Sequence, residues 1–301
     1  MKSAHRHKIN RDQLIFKKIS SENILCEVSN FLEYGFDWSK NNTKLIQDEL
    51  PKINIRLGYY GVAMIANKKI VGAILFFHQG YFQIRNDKIP IINMSSWYVA
   101  KDFRGLPTIS LTRFMMDELK DSIITNYSAN EVATKILIAA GFKTMKLKRT
   151  SLFFYQIVFK YFKNKIGIEN VSKNCIKLND NLACNLEAGK GISYLNVNIN
   201  QNQVQLIVKE KFFQRSLLGI SFNMKTSIII WSSDDQKIAD NWEIVAQKII
   251  IFTRSMKLIC DFEYPNFPKK CIENENNYLI FSNYDGVDSI KPIQSELNIF
   301  K

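Results

Sequence analysis

The chain has 301 residues, 46% of them hydrophobic and 23% charged, with 12 glycines and 6 prolines. That composition supplies a buried core and excludes a disordered or fibrous chain, and the length predicts two domains or one large one. Lysine and arginine outnumber aspartate and glutamate 41 to 28, a net charge of +13, with 23 against 13 in residues 1–150 (+10) and 18 against 15 in the remainder (+3).

An excess of this kind suits an anionic partner, whether nucleic acid, an anionic membrane surface or a phosphorylated ligand. Lysines spread over solvated faces account for it without any partner, and no run of five or more basic residues occurs. The charge-free apolar stretch Val71 to Ile84 contains His78 and Gln79 and falls short of the roughly 20 apolar residues that cross a bilayer. No transmembrane helix is expected. Met1 to Ile9 is basic but is followed by no apolar segment with a small-residue cleavage site, so secretion is not expected. Cys26, Cys175, Cys184, Cys260 and Cys271 form no CxxC pair, and with three histidines they offer no familiar zinc spacing. The expectation is a reduced, metal-free, cytoplasmic protein.

Ser21 to Tyr34 carries Ile24, Leu25, Val28, Phe31 and Leu32 at helical spacing, and Leu45 to Leu50 reads as a second, short helix ended by Pro51. Tyr59–Ala66 and Ile70–Phe77 are predicted strands of a hairpin around Asn67-Lys68-Lys69. A loop over Gly80 to Lys88 leads to a third strand, Ile91–Val99, completing an antiparallel meander. On that strand a strict period of two places Asn93, Ser95 and Trp97 on one face and Met94, Ser96 and Tyr98 on the other. Arg104-Gly105-Leu106-Pro107-Thr108 opens a helix with apolar face Leu111, Phe114, Met115 and Leu119. A strand at Ile123–Tyr127 follows. Ser128 and Glu131 then read as a capping box for a helix that continues through Val132, Ile136 and Ala140 to Gly141 at its C-cap.

The second half opens with a basic amphipathic stretch, Leu152 to Phe162. Predicted strands are Val204–Lys209, Leu217–Phe222 and Ser227–Ser232. One long helix follows from a Ser233/Gln236 box, with a core stripe Ile238, Trp242, Val245, Ile249, Phe252. Strands Lys257–Asp261 and Tyr278–Phe281 close the chain. Three strands, a helix and a strand repeat the order of Tyr59 to Tyr127, the pattern of a degenerate internal duplication.

The segment Trp97 to Phe142 carries two motifs. Val99 ends a strand, Arg104-Gly105 forms a loop, and Thr108 starts a helix. Asn130, Ala133, Ile136-Leu137 and Gly141-Phe142 then follow at fixed spacing. A permissive turn entering a helix presents unpaired N–H groups and the positive end of the helix dipole, which together hold a pyrophosphate, and Arg104 adds a charged donor. With these motifs, residues 10–150 resemble the GNAT superfamily of acyl-CoA-dependent N-acyltransferases. The resemblance implies an α/β (α+β) fold, a mixed sheet flanked by helices, with residues 151–301 a second α+β domain, GNAT-like, acceptor-binding or structural. It implies acetyl-CoA or another acyl-CoA as co-substrate, held by Trp97, Val99, Arg104, Gly105, Leu106, Thr108, Ile109, Asn130 and Ala133. In the family the splayed strand end at Val99 pairs with the pantetheine arm, and the same strand supplies an N–H for the developing oxyanion. Two positions depart from the pattern: Pro107 and Ile109 stand where small residues let backbone approach phosphate, and Leu137 stands where the family often has a Tyr acid.

For proton chemistry the candidates are His78 as general base, on the acceptor side if it pairs with a residue near 90, Ser95 or Tyr98 as relay, and Tyr127 as the substitute acid. Each has a plain structural alternative as a packed or hydrogen-bonded side chain. The function expected is acyl transfer to an amino or hydroxyl group of a small acceptor by direct attack in a ternary complex. The acceptor class the resemblance implies is a sugar or anionic sugar nucleotide in surface polysaccharide synthesis. An aminoacyl or peptidoglycan-type transferase is the alternative within enzymes. A non-catalytic GNAT-like module binding nucleic acid or a protein partner is the alternative outside them.

Overall fold

The computed structural model describes residues 14–37, 39–84, 87–154, 166–172, 175–176, 191–199, 202–217, 220–260 and 272–284. The first half runs β1 (Ile15–Lys18), α1 (Glu22–Phe36), α2 (Lys40–Ile53), β2 (Gly61–Ala66), β3 (Lys69–Ile84), β4 (Asp87–Val99), α3 (Leu106–Glu118), β5 (Ile123–Asn126), α4 (Glu131–Ala139) and β6 (Lys143–Phe153). The second runs β7 (Gly167–Asn170), β8 (Ile192–Ile199), β9 (Asn202–Leu217), β10 (Ile220–Ser232), α5 (Asp235–Asp240), α6 (Trp242–Thr253), β11 (Lys257–Cys260) and β12 (Ile272–Phe281). These strands join in one 12-stranded sheet, β1-β2-β3-β4-β5-β12-β6-β11-β10-β9-β8-β7. The α/β class and the meander with its flanking helices are as expected.

Several boundaries differ, each for a local reason. The second helix starts at Lys40, capped by Ser39, because Thr43, Ile46, Leu50 and Ile53 form a buried stripe and the polar residues between them are its wet face. Pro51 is inside its last turn and does not end it. The predicted loop over Gly80 to Lys88 is strand: β3 runs to Ile84, and an extra residue near Gln79, with Gly80 at φ 115°, bends the ribbon without breaking it. The α4 cap is Asn130, whose side chain accepts from the Ala133 N–H, while Ser128 donates its own N–H to Asn126. At the other end of α4, Phe142 N–H bonds Leu137 O and Gly141 N–H bonds Ile138 O, closing the helix as Gly141 predicted.

In the second half, Leu152 and Phe153 belong to β6, and residues 155–162 of the predicted amphipathic stretch lie outside the described residues. Leu217–Phe222 straddles the β9–β10 connection and is no separate strand. The long helix is two, broken at Asn241, with Asp234 as the cap, and Phe252 is exposed, not core.

Helices cover the sheet on two faces. On the first, α1 and α2 bury Leu25, Val28, Leu32, Ile46 and Leu50 against Ala73, Leu75 and Phe77. On the second, α3 and α4 bury Leu111, Met115 and Leu137 against Met64, Ile74, Phe76, Ile92 and Met94. Cross-strand partners share a face, so register carries this division along the sheet. It places α6, packed through Trp242, Val245 and Ile249 on Val208, Ile229 and Leu258, on the same side as α3 and α4.

The two halves share an order of elements, though not with the strands predicted, since β8 stands in place of Leu217–Phe222. β2-β3-β4, α3 and β5 correspond to β8-β9-β10, α5/α6 and β11, with β4–β5 and β10–β11 both parallel. The closing strand of each half sits in the other: β12 pairs β5, and β6 pairs β11.

Candidate active site

β4 and β5 are paired only at Ile91–Asn93 with Ile123–Thr125. From Met94 to Val99, β4 pairs with β3 alone while β5 ends at Asn126, so the parallel pair opens as a wedge on that side of β4. Within the wedge Ser96 has φ 49°, and the register with β3 slips between Ala73/Tyr98 and Leu75/Ser95, one residue extra on β4. A left-handed serine in a strand is a strained conformation of the kind that concentrates at functional sites. The bulge corrects the predicted alternation. Asn93, Ser95 and Tyr98 share the α1/α2 face, and Met94, Trp97 and Val99 share the α3/α4 face, where Trp97 and Val99 pack on the core.

The chain passes through a short 3-10 turn, Lys101–Phe103, to Arg104 and to Gly105, the α3 cap, whose φ of 101° suits glycine. Arg104 donates from Nε to the Val99 carbonyl at 3.1 Å and its guanidinium lies 5.9 Å from the Tyr98 ring centre. Of the first helical residues, Leu106 is exposed, Pro107 has no N–H, and Thr108 spends its N–H on Gly105 O. The first turn therefore has fewer backbone donors than a pyrophosphate loop of the expected kind. The side chain of Thr108 points the other way in this balance: it is buried, and its Oγ1 has no hydrogen-bond partner. Asn130 and Ala133, expected at the cofactor, are tied to each other as the α4 cap.

Between α3 and α4 lies a groove of about 700 Å³ lined by Ile109, Thr112, Arg113, Met116, Asp117, Lys135 and Ile136, with Lys135 paired to Glu131 at 2.7 Å. Ile109 is thus on its wall, as expected. Arg113 and Lys135 were not singled out by the sequence. Their signal was spacing: Ile109, Arg113 and Met116 form a helical stripe adjacent to the core stripe Leu111–Met115.

The proton-transfer candidates divide by face. His78 is buried and pairs with Ile92, within two residues of the expected partner, and lies on the α3/α4 side, edge-on to Tyr81 at 4.9 Å. Burial and the Arg56 charge lower its pKa to about 4, so it is neutral at pH 7 and a weak base. Tyr98 packs between Phe31 and Phe36 at 5.4 and 5.5 Å, and its ring lies so close to Gly35 that a Cβ there would clash. Ser95 is buried with Oγ 3.2 Å from Ser96 Oγ. Tyr127 follows β5 and is wholly buried beside Thr125 and Gln79, and desolvation raises its pKa. Gln79 Nε2 donates to Thr125 Oγ1 at 3.4 Å, spanning β4 beside Asn93. The α1/α2 face under the wedge is therefore a buried polar floor of Gln79, Asn93, Ser95, Thr125 and Tyr127. Leu137 is pure core.

Among the described residues no cluster of three His, Cys, Asp or Glu could hold a metal, and no helix is long and apolar enough to cross a membrane. The wedge, the unpartnered Thr108 hydroxyl and the α3–α4 groove with Arg113 on its wall fit an acyl-CoA better than the first turn of α3 alone does.

No protein-family model and no curated protein sequence matches the chain. Solved structures do. A GCN5-related N-acetyltransferase from Anabaena variabilis shares a TM-score of 0.57 at 14% identity over 89% of this chain and 72% of its own. Another from Kribbella flavida gives 0.59 at 11% identity over 89% and 70%. The N-myristoyltransferase of Saccharomyces cerevisiae, solved with bound myristoyl-CoA, gives 0.53 at 9% over 89% and 82%. Identity this low speaks for fold alone. With the parallel β4–β5 pair that parts at Met94, it shows that the chain has the fold of the GCN5-related N-acetyltransferases.

Proposed function

We propose that this chain is an acyl-CoA-dependent acyltransferase acting on an amino or hydroxyl group of a small acceptor. The observation that carries the reading is the parting of β4 from β5 at Met94 with the Ser96 bulge at its mouth. The free edge of Met94–Val99 can pair with the amides of a pantetheine arm as a neighbouring strand would, and Ile109, Arg113 and Lys135 line the way out for the phosphates. The co-substrate supplies an acyl group activated as a thioester.

What the chain supplies is position and charge. The bulge turns a β4 N–H out of the ladder, where it can donate to a developing oxyanion. Burial keeps Tyr127 protonated, which supports assigning it the proton given to the departing sulfur. Ser95, on the same face, orients the acceptor; as the new acyl bond forms and the acyl C–S bond breaks, the acceptor's proton is relayed through the Ser95 and Thr125 hydroxyls to Tyr127, replacing the one given to sulfur. His78, neutral and turned to the other face, is left out of proton transfer. We further propose that residues 10–150 hold the acyl-CoA while residues 151–301 contribute to acceptor binding. The resemblance suggests a sugar or sugar nucleotide of surface polysaccharide synthesis as the acceptor class, and of these an anionic sugar nucleotide suits the net charge of +13.

Calorimetry with acetyl-CoA, followed by transfer of labelled acetyl to an amino-sugar panel, tests this. Saturable heat and labelled product are expected. The shortage of donors at Pro107 and Thr108 favours one other reading, a non-catalytic module. Absence of heat with every acyl-CoA, together with nucleic-acid binding that weakens steeply with salt, would establish it instead.

A further inference from the structure

The sheet face shared with α1 and α2 continues into the second half, and there it is unusual. By register Lys211, Thr226 and Lys257 lie side by side on β9, β10 and β11, with Lys209 one pleat along β9. Neighbouring strands are about 4.8 Å apart, so two ammonium stems flank Thr226 at about that spacing on each side. All three lysines are at least nine-tenths buried, which lysine almost never is. Thr226 is fully buried and its Oγ1 has no hydrogen-bond partner; Ser151, on the same face beside β11, is in the same condition. Lys257 Nζ also sits 4.4 Å from the Phe153 ring centre.

We propose that this row is an anion-binding site that takes the phosphoryl group of a phosphorylated ligand over Thr226. Lysine is a compact point charge with rotatable donors, and a tetrahedral oxyanion accepts from several such donors and a hydroxyl at once. The site is on the opposite face from the α3–α4 groove and in the other half of the chain. Desolvation lowers the pKa of Lys209 to about 8, and the Glu49 carboxylate of α2 opposes that, so an anion in the row would restore the full charge of the cluster. Each lysine also interacts with other groups of the chain. The ligand adds to those partners and does not require their absence. The proposal stands whether or not the chain transfers acyl groups.

Calorimetry on the full chain with inorganic phosphate tests it, with succinate and acetyl-CoA as separate arms. Saturable one-to-one phosphate binding is expected. Lys211→Gln should weaken it about 10- to 100-fold and the near-isosteric Thr226→Val about 3- to 10-fold, the ranges for a charged and a neutral hydrogen bond. Lys69→Gln, on the exposed β2–β3 turn, should leave it unchanged. If Lys211→Gln fails to fold, Thr226→Val, which keeps every charge, decides alone. No saturable heat, binding unchanged in Thr226→Val, tighter binding of succinate, or displacement of phosphate by acetyl-CoA would each overturn the proposal.

Discussion

Thr108 offers a test in which stability and binding move in opposite directions. Its hydroxyl is buried at the start of α3 without a hydrogen-bond partner, while its carbonyl already accepts from Thr112 Oγ1 at 3.0 Å. A buried hydroxyl with no partner costs about 1–3 kcal/mol. Valine has the same branched shape and a helix propensity close to that of threonine. Thr108→Val should therefore stabilise the ligand-free protein by about 1 kcal/mol, a rise of roughly 2–4 °C in melting temperature for a large domain. If the hydroxyl is kept to meet the co-substrate, the same change should weaken acetyl-CoA binding about 3- to 10-fold, the value of one neutral hydrogen bond. Thermal denaturation and calorimetry on the two proteins read both quantities. A destabilised variant would mean that the hydroxyl has a partner in the fold, and unaltered affinity would mean that it does not face the ligand. Either result refutes the reasoning.

Asn54 is buried at the free edge of β3 beyond the end of β2: its Nδ2 donates to Phe76 O at 2.7 Å and Tyr59 O at 3.1 Å, and its Oδ1 accepts from His78 N–H at 3.0 Å. Asn54→Ala leaves three backbone groups without that partner and should cost about 3–5 kcal/mol in urea unfolding, whereas a loss under 1 kcal/mol would show that water replaces it. His78 has a folded pKa of about 4 against an ordinary 6.5, so the unfolded chain binds more protons between those values. Its contribution should be fully present above pH 6.5 and fade as pH falls toward 4, by about 3 kcal/mol, and His78→Gln should flatten that part of the stability profile. The second half repeats the strand–helix–strand order, with a register slip of β10 on β9 after Ile229, but the helix that follows is capped by Asp234, which accepts from Lys237 N–H at 3.0 Å. A carboxylate at that helix start repels phosphate where Gly105 does not. One acetyl-CoA per chain is expected in calorimetry, and two would contradict this account of the second half.

What could be read from the sequence was what local pattern controls. The amphipathic helix at α1, the Asn67-Lys68 turn and the end of α4 at Gly141 are each set by a few adjacent residues, and all three were legible, whereas α3 starts at Leu106, two residues before the expected Thr108, because Pro107 fits a first helical turn. The face of Tyr98 was not, because one inserted residue at Ser96 reverses the alternation and nothing in Ser95-Ser96 announces it. Gly80 read as a loop because glycine marks loops and bulges alike; only the pairing of Phe82 with Ile89 across the ribbon decides between them. The α4 cap went to Asn130 over Ser128 because both are good caps two residues apart, and Asn126 captures the Ser128 N–H first. Non-local features were the least accessible. The insertion of β12 between β5 and β6 joins segments about 150 residues apart, and the lysine row of β9 and β11 exists only in the assembled sheet.

The central claim is that an acyl-CoA lies along the free edge of β4 at its parting from β5. Amide hydrogen exchange on the full chain, with and without saturating acetyl-CoA, addresses it directly. The account predicts slowed exchange at Met94–Val99 and at Gly105–Leu106, with little change in β8–β10. Binding that leaves Met94–Val99 as exchangeable as before, or protects β10 in its place, would contradict it.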